Sequence, residues 1–143
     1  MMKRRPLVRH SNPLIAGLSV VLLMTLFWST YGSSEPVRGV TDTMIKIGAI
    51  LDQTGPVADV TVPVTNGLRN YMRNVNDKGG IFGRKIKVIV EDDRCSIPAG
   101  IAAFKKLLFK DEIFALTGPA HIGTAKALFG QIEKLKIPNI SGA

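Results

Sequence analysis

After residue 43 the chain alternates between two rhythms of apolar and polar positions. Met44-Ile45-Lys46-Ile47-Gly48-Ala49-Ile50-Leu51 is short, β-branched and apolar, and predicts a strand. Residues 52–60 are rich in turn formers, among them Asp52, Thr54, Gly55 and Pro56, and predict a loop. Val64, Leu68, Tyr71, Met72 and Val75 then fall at offsets 0, 4, 7, 8 and 11, one face of an amphipathic helix. Pro63 suits the first turn of that helix, where a missing N–H costs nothing. Gly79-Gly80 suits its end.

The same alternation continues to the last residue. Ile86 to Val90 predicts a second strand, and Pro98 opens a helix with Ile101, Phe104 and Leu108 on one side. Ile113 to Leu116 predicts a third strand, followed by a helix that carries Ala125, Leu128, Ile132 and Leu135 on one face. A fourth strand begins at Ile137-Pro138-Asn139-Ile140, and the chain stops at Ala143. Strands alternating with helices imply an α/β fold, an open parallel sheet of βα units. Right-handed crossovers put helices on both faces. Ligands of such sheets sit outside the carboxyl ends of the strands. The segments to inspect are therefore 52–60, 91–97, 117–124 and 141–143.

Residues 1–34 follow another logic. Lys3, Arg4, Arg5 and Arg9 precede fifteen nearly apolar residues, Leu14 to Trp28, and Gly32-Ser33-Ser34 follows. Basic, apolar, small is the order of a secretory signal. The run is short of the roughly 20 residues a spanning helix needs. A cleaved signal peptide is expected over 1–34, the alternative being an N-terminal anchor whose uncleaved segment is the sole membrane contact. Cuts after Gly32 or Ser34 both fit, there is no A-x-A, and no Cys follows that would take a lipid. A linker over 35–43 and one domain over 44–143 complete the organisation.

Charge changes the picture little. The net charge is +8, but from Glu35 onward 15 basic residues face 11 acidic ones, both signs interspersed. No basic stripe with interleaved aromatics appears, which argues against nucleic acid.

Several motifs have a distinctive order. Asn76-Asp77-Lys78-Gly79-Gly80-Ile81-Phe82-Gly83-Arg84 leads into a strand ending at Glu91-Asp92-Asp93. Ile47-Gly48 runs to Thr54-Gly55-Pro56, and Leu116-Thr117-Gly118-Pro119 and Ile137-Pro138-Asn139-Ile140-Ser141 follow in order. This stretch, residues 44–143, resembles the type I periplasmic binding proteins of the branched-chain amino acid ABC transporter group. The resemblance implies two α/β lobes joined by a hinge that close on a ligand, without catalysis and without a cofactor. It implies a periplasmic location, a small-molecule ligand such as an amino acid or related carboxylate, and an ABC permease in the inner membrane as partner. Relatives run to several hundred residues, so the chain is expected to be the incomplete first lobe of such a protein.

The resemblance also implies ligand contacts. The loop Ala120-His121-Ile122-Gly123-Thr124 opens the third helix, whose N–H groups favour a carboxylate. Relatives often have a Ser where Ile122 stands, so that hydroxyl is gone while the main-chain donors of Ile122 and Gly123 remain. Thr124 either substitutes for it or caps the helix. Ser141 and Ala143 match the end of the fourth strand, and Thr54 and Gly55 line the rim. His121 is read either as a ligand contact or as a surface or capping residue.

Other chemistry finds little support. Glu91, Asp92 and Asp93 read either as a metal or acid–base cluster or as a solvated strand end balanced by Arg94, and no metal site is expected. The glycines at 79, 80 and 83 precede a strand, unlike a phosphate loop. Cys95 is the single cysteine. Some relatives bridge a Cys here to the loop after the third strand, where this chain has His121, so a free thiol is expected. A hydrolase would need a G-x-S-x-G elbow, which does not occur. Two other readings stand beside solute capture for transport: an extracellular ligand-sensing domain of a receptor, and a truncated product without function.

Overall fold

The computed structural model describes residues 35–140. The signal expected over 1–34, and Ser141 and Ala143, lie outside the described residues. Four parallel strands, β1 (Met44–Ile50), β2 (Lys85–Glu91), β3 (Ala115–Thr117) and β4 (Asn139–Ile140), alternate with α1 (Ala58–Asp77), α2 (Ile97–Phe109) and α3 (Ile122–Lys134). Strand order is β2-β1-β3-β4. Met44 to Ile50 lie opposite Lys85 to Glu91, Ile47 lies opposite Ala115, and Leu116 lies opposite Asn139. The chain moves one way from β1 to β2 and the other way to β3 and β4. Right-handed crossovers then place α1 on one face and α2 with α3 on the other, and α2 and α3 pack on each other. This is the expected α/β sheet.

The fully buried apolar core lies on the α2–α3 side. Phe104 and Leu107 of α2 and Leu128 of α3 meet Ile50 and Leu116 of the sheet. Ile113 and Ile137 join them but precede the ladders of β3 and β4. The apolar run marks burial on the approach to each strand, so pairing begins two residues later than the run predicts.

Helix α1 departs most from expectation. It begins at Ala58, so Pro63 is inside the helix and not in its first turn. Thr61 and Thr65 are its buried residues, while Val64 and Tyr71 are exposed. Leu68, Met72 and Val75 are half-buried, continuing the stripe that the two threonines begin. Hydroxyls explain the choice. Thr61 donates to the Asp52 carbonyl, Thr65 donates to the Thr61 carbonyl at 2.9 Å, and Gln53 Nε2 donates to Thr65 Oγ1 at 2.9 Å. The helix turns its polar stripe toward a polar loop, and the valine face is left in solvent.

The long motif after α1 is a joint between helix and strand. Gly80 N–H donates to the Val75 carbonyl at 2.9 Å, closing the helix. Ile81 and Arg84 exchange N–H···O bonds of 2.8 and 2.9 Å across Phe82 and Gly83, whose φ values are +49° and +79°. Positive φ at both central positions is the two-residue hairpin turn of type I′. Asn76 then grips β2: Nδ2 donates to the Ile86 carbonyl at 2.8 Å, and Ile86 N–H donates to Oδ1 at 2.7 Å.

Replacing Asn76 by Ala leaves both main-chain groups of Ile86 without these partners. At about 1 kcal/mol for each hydrogen bond, the loss of stability is about 2 kcal/mol, seen as a lower urea midpoint at unchanged slope. An unchanged midpoint would show that water replaces the side chain without cost.

Candidate ligand-binding cleft

The direction of the sheet reverses between β1 and β3, and at such a switch point the loops diverge and open a crevice. Three loops meet there. The first follows β1 and is organised by Asp52, which is only 2% exposed. Its carboxylate accepts the N–H groups of Gly55 at 2.5 Å and Val57 at 2.9 Å. A Cβ at Gly55 would stand 2.6 Å from Oδ1 and 2.8 Å from the Arg94 carbonyl carbon, so the turn closes only with glycine here.

The second loop follows β2. Glu91 pairs with Lys106. Asp92 accepts the N–H of Gln53 at 2.8 Å, the Thr54 hydroxyl at 2.6 Å and the N–H of Arg94 at 3.0 Å, tying the first loop to the second. Burial works against its ionisation, but those three donors and the Arg94 charge prevail and hold its pKa at about 2. Asp93 is 1% exposed; it accepts the Cys95 N–H at 3.3 Å and the Thr124 hydroxyl at 3.4 Å. The reading of this run as a solvated strand end balanced by Arg94 is corrected for Asp92 and Asp93, whose carboxylates are acceptors for the loops, while Arg94 does pair with Asp92 at 3.5 Å. Among the described residues, no group of three or more His, Cys, Asp or Glu is disposed to hold a metal ion.

The third loop follows β3. Gly118 N–H donates to the Ile140 carbonyl at 3.1 Å, and the chain then turns into α3 at His121. No side chain caps this helix and its first turn carries no acidic residue. His121 and Thr124, both read as possible caps, bond to each other, with Nδ1 2.9 Å from Oγ1.

These loops and the start of α1 border an open cleft of about 580 Å³. Val57, Val60, Ala120 and Ile122 form its apolar walls; Asp52, Thr61, Asp93, Cys95 and His121 complete the lining. Of the ligand contacts expected from the sequence, His121 and Ile122 line the cleft. Gly123 is half-buried beneath the His121 ring, since a Cβ there would be 3.0 Å from its Cε1. Thr124 is wholly buried. Thr54 and Gly55 shape the first loop and are not among the lining residues. Val57, Val60 and Thr61 were missed as wall residues because α1 starts earlier than its apolar pattern indicates.

Cys95 lines the cleft as a free thiol. Burial raises its pKa, and hydrogen bonding to Asp52 with the charges of Asp52 and Asp93 raises it further. A thiol held protonated is a poor nucleophile.

The profile of the periplasmic binding proteins matches residues 44–143, the whole of the sheet and its helices. The chain belongs to this family. It is similar to the Leu/Ile/Val-binding protein BraC3 of Rhizobium johnstonii, with 37% identity over 81 residues, 57% of this chain and 22% of that one. The branched-chain amino acid transporter substrate binding protein LivJ of Streptococcus pneumoniae, solved in complex with isoleucine, superposes with a TM-score of 0.65 at 26% identity, over 69% of this chain and 28% of that one. The fatty acid ABC transporter substrate-binding protein of Thermomonospora curvata gives 0.68 at 27% identity, over 76% and 28%. This periplasmic binding protein chain thus spans about a quarter of the length of these relatives.

Two outcomes follow from the electrostatics. The folded pKa of Asp92, about 2, lies below its ordinary 3.8. Its contribution to stability is complete above the ordinary value and is lost as pH falls through the folded one. Melting temperature should drop between about pH 4 and about pH 2, and Asp92→Asn should flatten that part of the profile; parallel profiles would count against this role. For Cys95, the rate of alkylation by iodoacetamide should keep rising at pH values where an ordinary thiol has levelled off. A plateau at or below the ordinary thiol value would contradict the assigned surroundings.

Proposed function

We propose that this chain builds one wall of the ligand site in the solute-binding component of an ABC importer. The ligand is a small carboxylate-bearing solute, a branched-chain amino acid or a similar molecule. The observation that carries the reading is the cleft at the switch point, with the uncapped start of α3 on its edge. The first N–H groups of a helix have no partners within it, and the dipole adds positive potential. An anion completes both. The apolar walls suit an aliphatic or aromatic body. The cleft is open to one side, and we place the facing wall outside the described residues.

The role is capture without chemistry. The thiol in the cleft is held protonated, and Nδ1 of His121 is already engaged. In this reading residues 1–34 direct export to the periplasm, where the loaded protein delivers its ligand to a permease in the inner membrane.

Isothermal titration of the exported protein with a panel of amino and organic acids tests the reading. Saturable heat with one of them is expected, and no heat with any of them would overturn it. Ile122→Asp sharpens the test. It places a carboxylate where the ligand's own would sit, and should weaken binding at least tenfold, about 1.4 kcal/mol. An acidic residue in a first helical turn is itself stabilising by about 0.3–1 kcal/mol, so the variant should melt no lower than the parent.

A further inference from the structure

A hydroxyl has one hydrogen to give, and in this cleft two groups adjoin the same hydroxyl. Thr124 Oγ1 lies 3.4 Å from Asp93 Oδ2 and 2.9 Å from His121 Nδ1. Thr124 is 0% exposed and Asp93 1%, so the hydroxyl and the carboxylate are both held away from solvent. An ionised carboxylate only accepts, and leaving one of its buried oxygens without a donor is costly; Oδ1 of Asp93 has the Cys95 N–H. Among the described residues the Thr124 hydroxyl is the one donor to Oδ2. Its hydrogen therefore belongs to Asp93, and its oxygen accepts from His121. The neutral imidazole must then carry its proton on Nδ1, which leaves a lone pair on Nε2.

The other edge of the ring has its own constraint. A Cβ at residue 123 would stand 3.0 Å from His121 Cε1 and 3.3 Å from Nε2, so glycine leaves room for the ring against the first turn of α3. Ile97 Cδ1 borders the same space at 3.2 Å. The ring lines the cleft, and Nε2 has no hydrogen-bond partner among the described residues.

We propose that His121 is a specificity-determining residue: its Nε2 accepts a hydrogen bond from the solute, and Thr124 and Asp93 position it by fixing the tautomer. The solute class is then a carboxylate that bears a donor, a hydroxyl or an amine, on its apolar body. A bare hydrocarbon acid fills the walls but leaves the acceptor unmet. This rests on the reading of the cleft as a carboxylate site and adds a second contact within reach of the α3 N-terminus.

The tautomer is measured without any ligand, from the ring nitrogen shifts of His121 by NMR at a pH where the ring is neutral. The Nδ1–H form should dominate in the parent. Thr124→Val, of the same shape without the hydroxyl, should shift it toward Nε2–H, and Thr124→Ser should restore it. A dominant Nε2–H form in the parent overturns the proposal even if Thr124→Val fails to fold. The second readout is titration with pairs of acids that differ only in the donor, 2-hydroxy against 2-methoxy and 2-amino against unsubstituted. The parent should favour the donor-bearing member at least about tenfold, because a buried acceptor left unpaired is penalised. Thr124→Val should lose that preference while still binding acids. Equal affinities within each pair in the parent overturn the proposal. The expected tautomer with no binding of any acid overturns the carboxylate reading of the cleft and leaves the hydrogen-bond assignment standing.

Discussion

A carboxylate taken out of water has to be supplied with hydrogens, and the carboxyl end of this sheet is arranged around that requirement. Asp52 and Asp93 are almost completely buried, and Asp92 is held ionised between two loops. The donors they collect are mostly main-chain N–H groups: Gly55 and Val57 for Asp52, Gln53 and Arg94 for Asp92, Cys95 for Asp93. The first two loops bend so that their amides reach an aspartate at or near the end of a strand, and the third is tied in by the Thr124 hydroxyl. The cleft is the space left between loops shaped in this way. Even the left-handed pair Arg94 and Cys95, with φ of +49° and +51°, sits where Asp92 and Asp93 take up their N–H groups.

The other end of the sheet solves a different problem with the same economy of parts. There a helix must stop, reverse and feed a parallel strand within a few residues. Asn76 imitates a strand edge, and the glycine-bearing turn at Phe82-Gly83 accepts the left-handed backbone. The two ends share no residues, so the joint can be kept while the cleft changes.

Much of the fold was legible because burial and periodicity coincide. The strands of the sheet centre, with α2 and α3, pack apolar side chains against apolar side chains, and there the pattern of Phe104, Leu108, Leu128 and Ile132 read correctly. α1 was misread where the two separate. Its inward face begins with Thr61 and Thr65, whose hydroxyls bond within the fold, so the most apolar face by count is not the buried one. The site was legible only as an address. Ligand-binding geometry pointed to the strand ends, and His121 and Ile122 are in the cleft wall. The amides of Gly55, Val57, Arg94 and Cys95 donate within their own loops. The bonds that join loops, from Gln53 and Thr54 to Asp92 and from Thr124 to Asp93, connect residues 30 or more apart in sequence, and no spacing within one loop encodes them.

One consequence concerns the history such a site can have. Because backbone amides and three aspartates hold the loops, the side chains at Val57, Val60 and Ile122 carry little of the architecture. They are free to drift. Under the proposed solute-binding role, a lineage built on this frame can change the solute it accepts by single replacements on the cleft wall, each close to neutral for folding, without passing through an unstable ancestor.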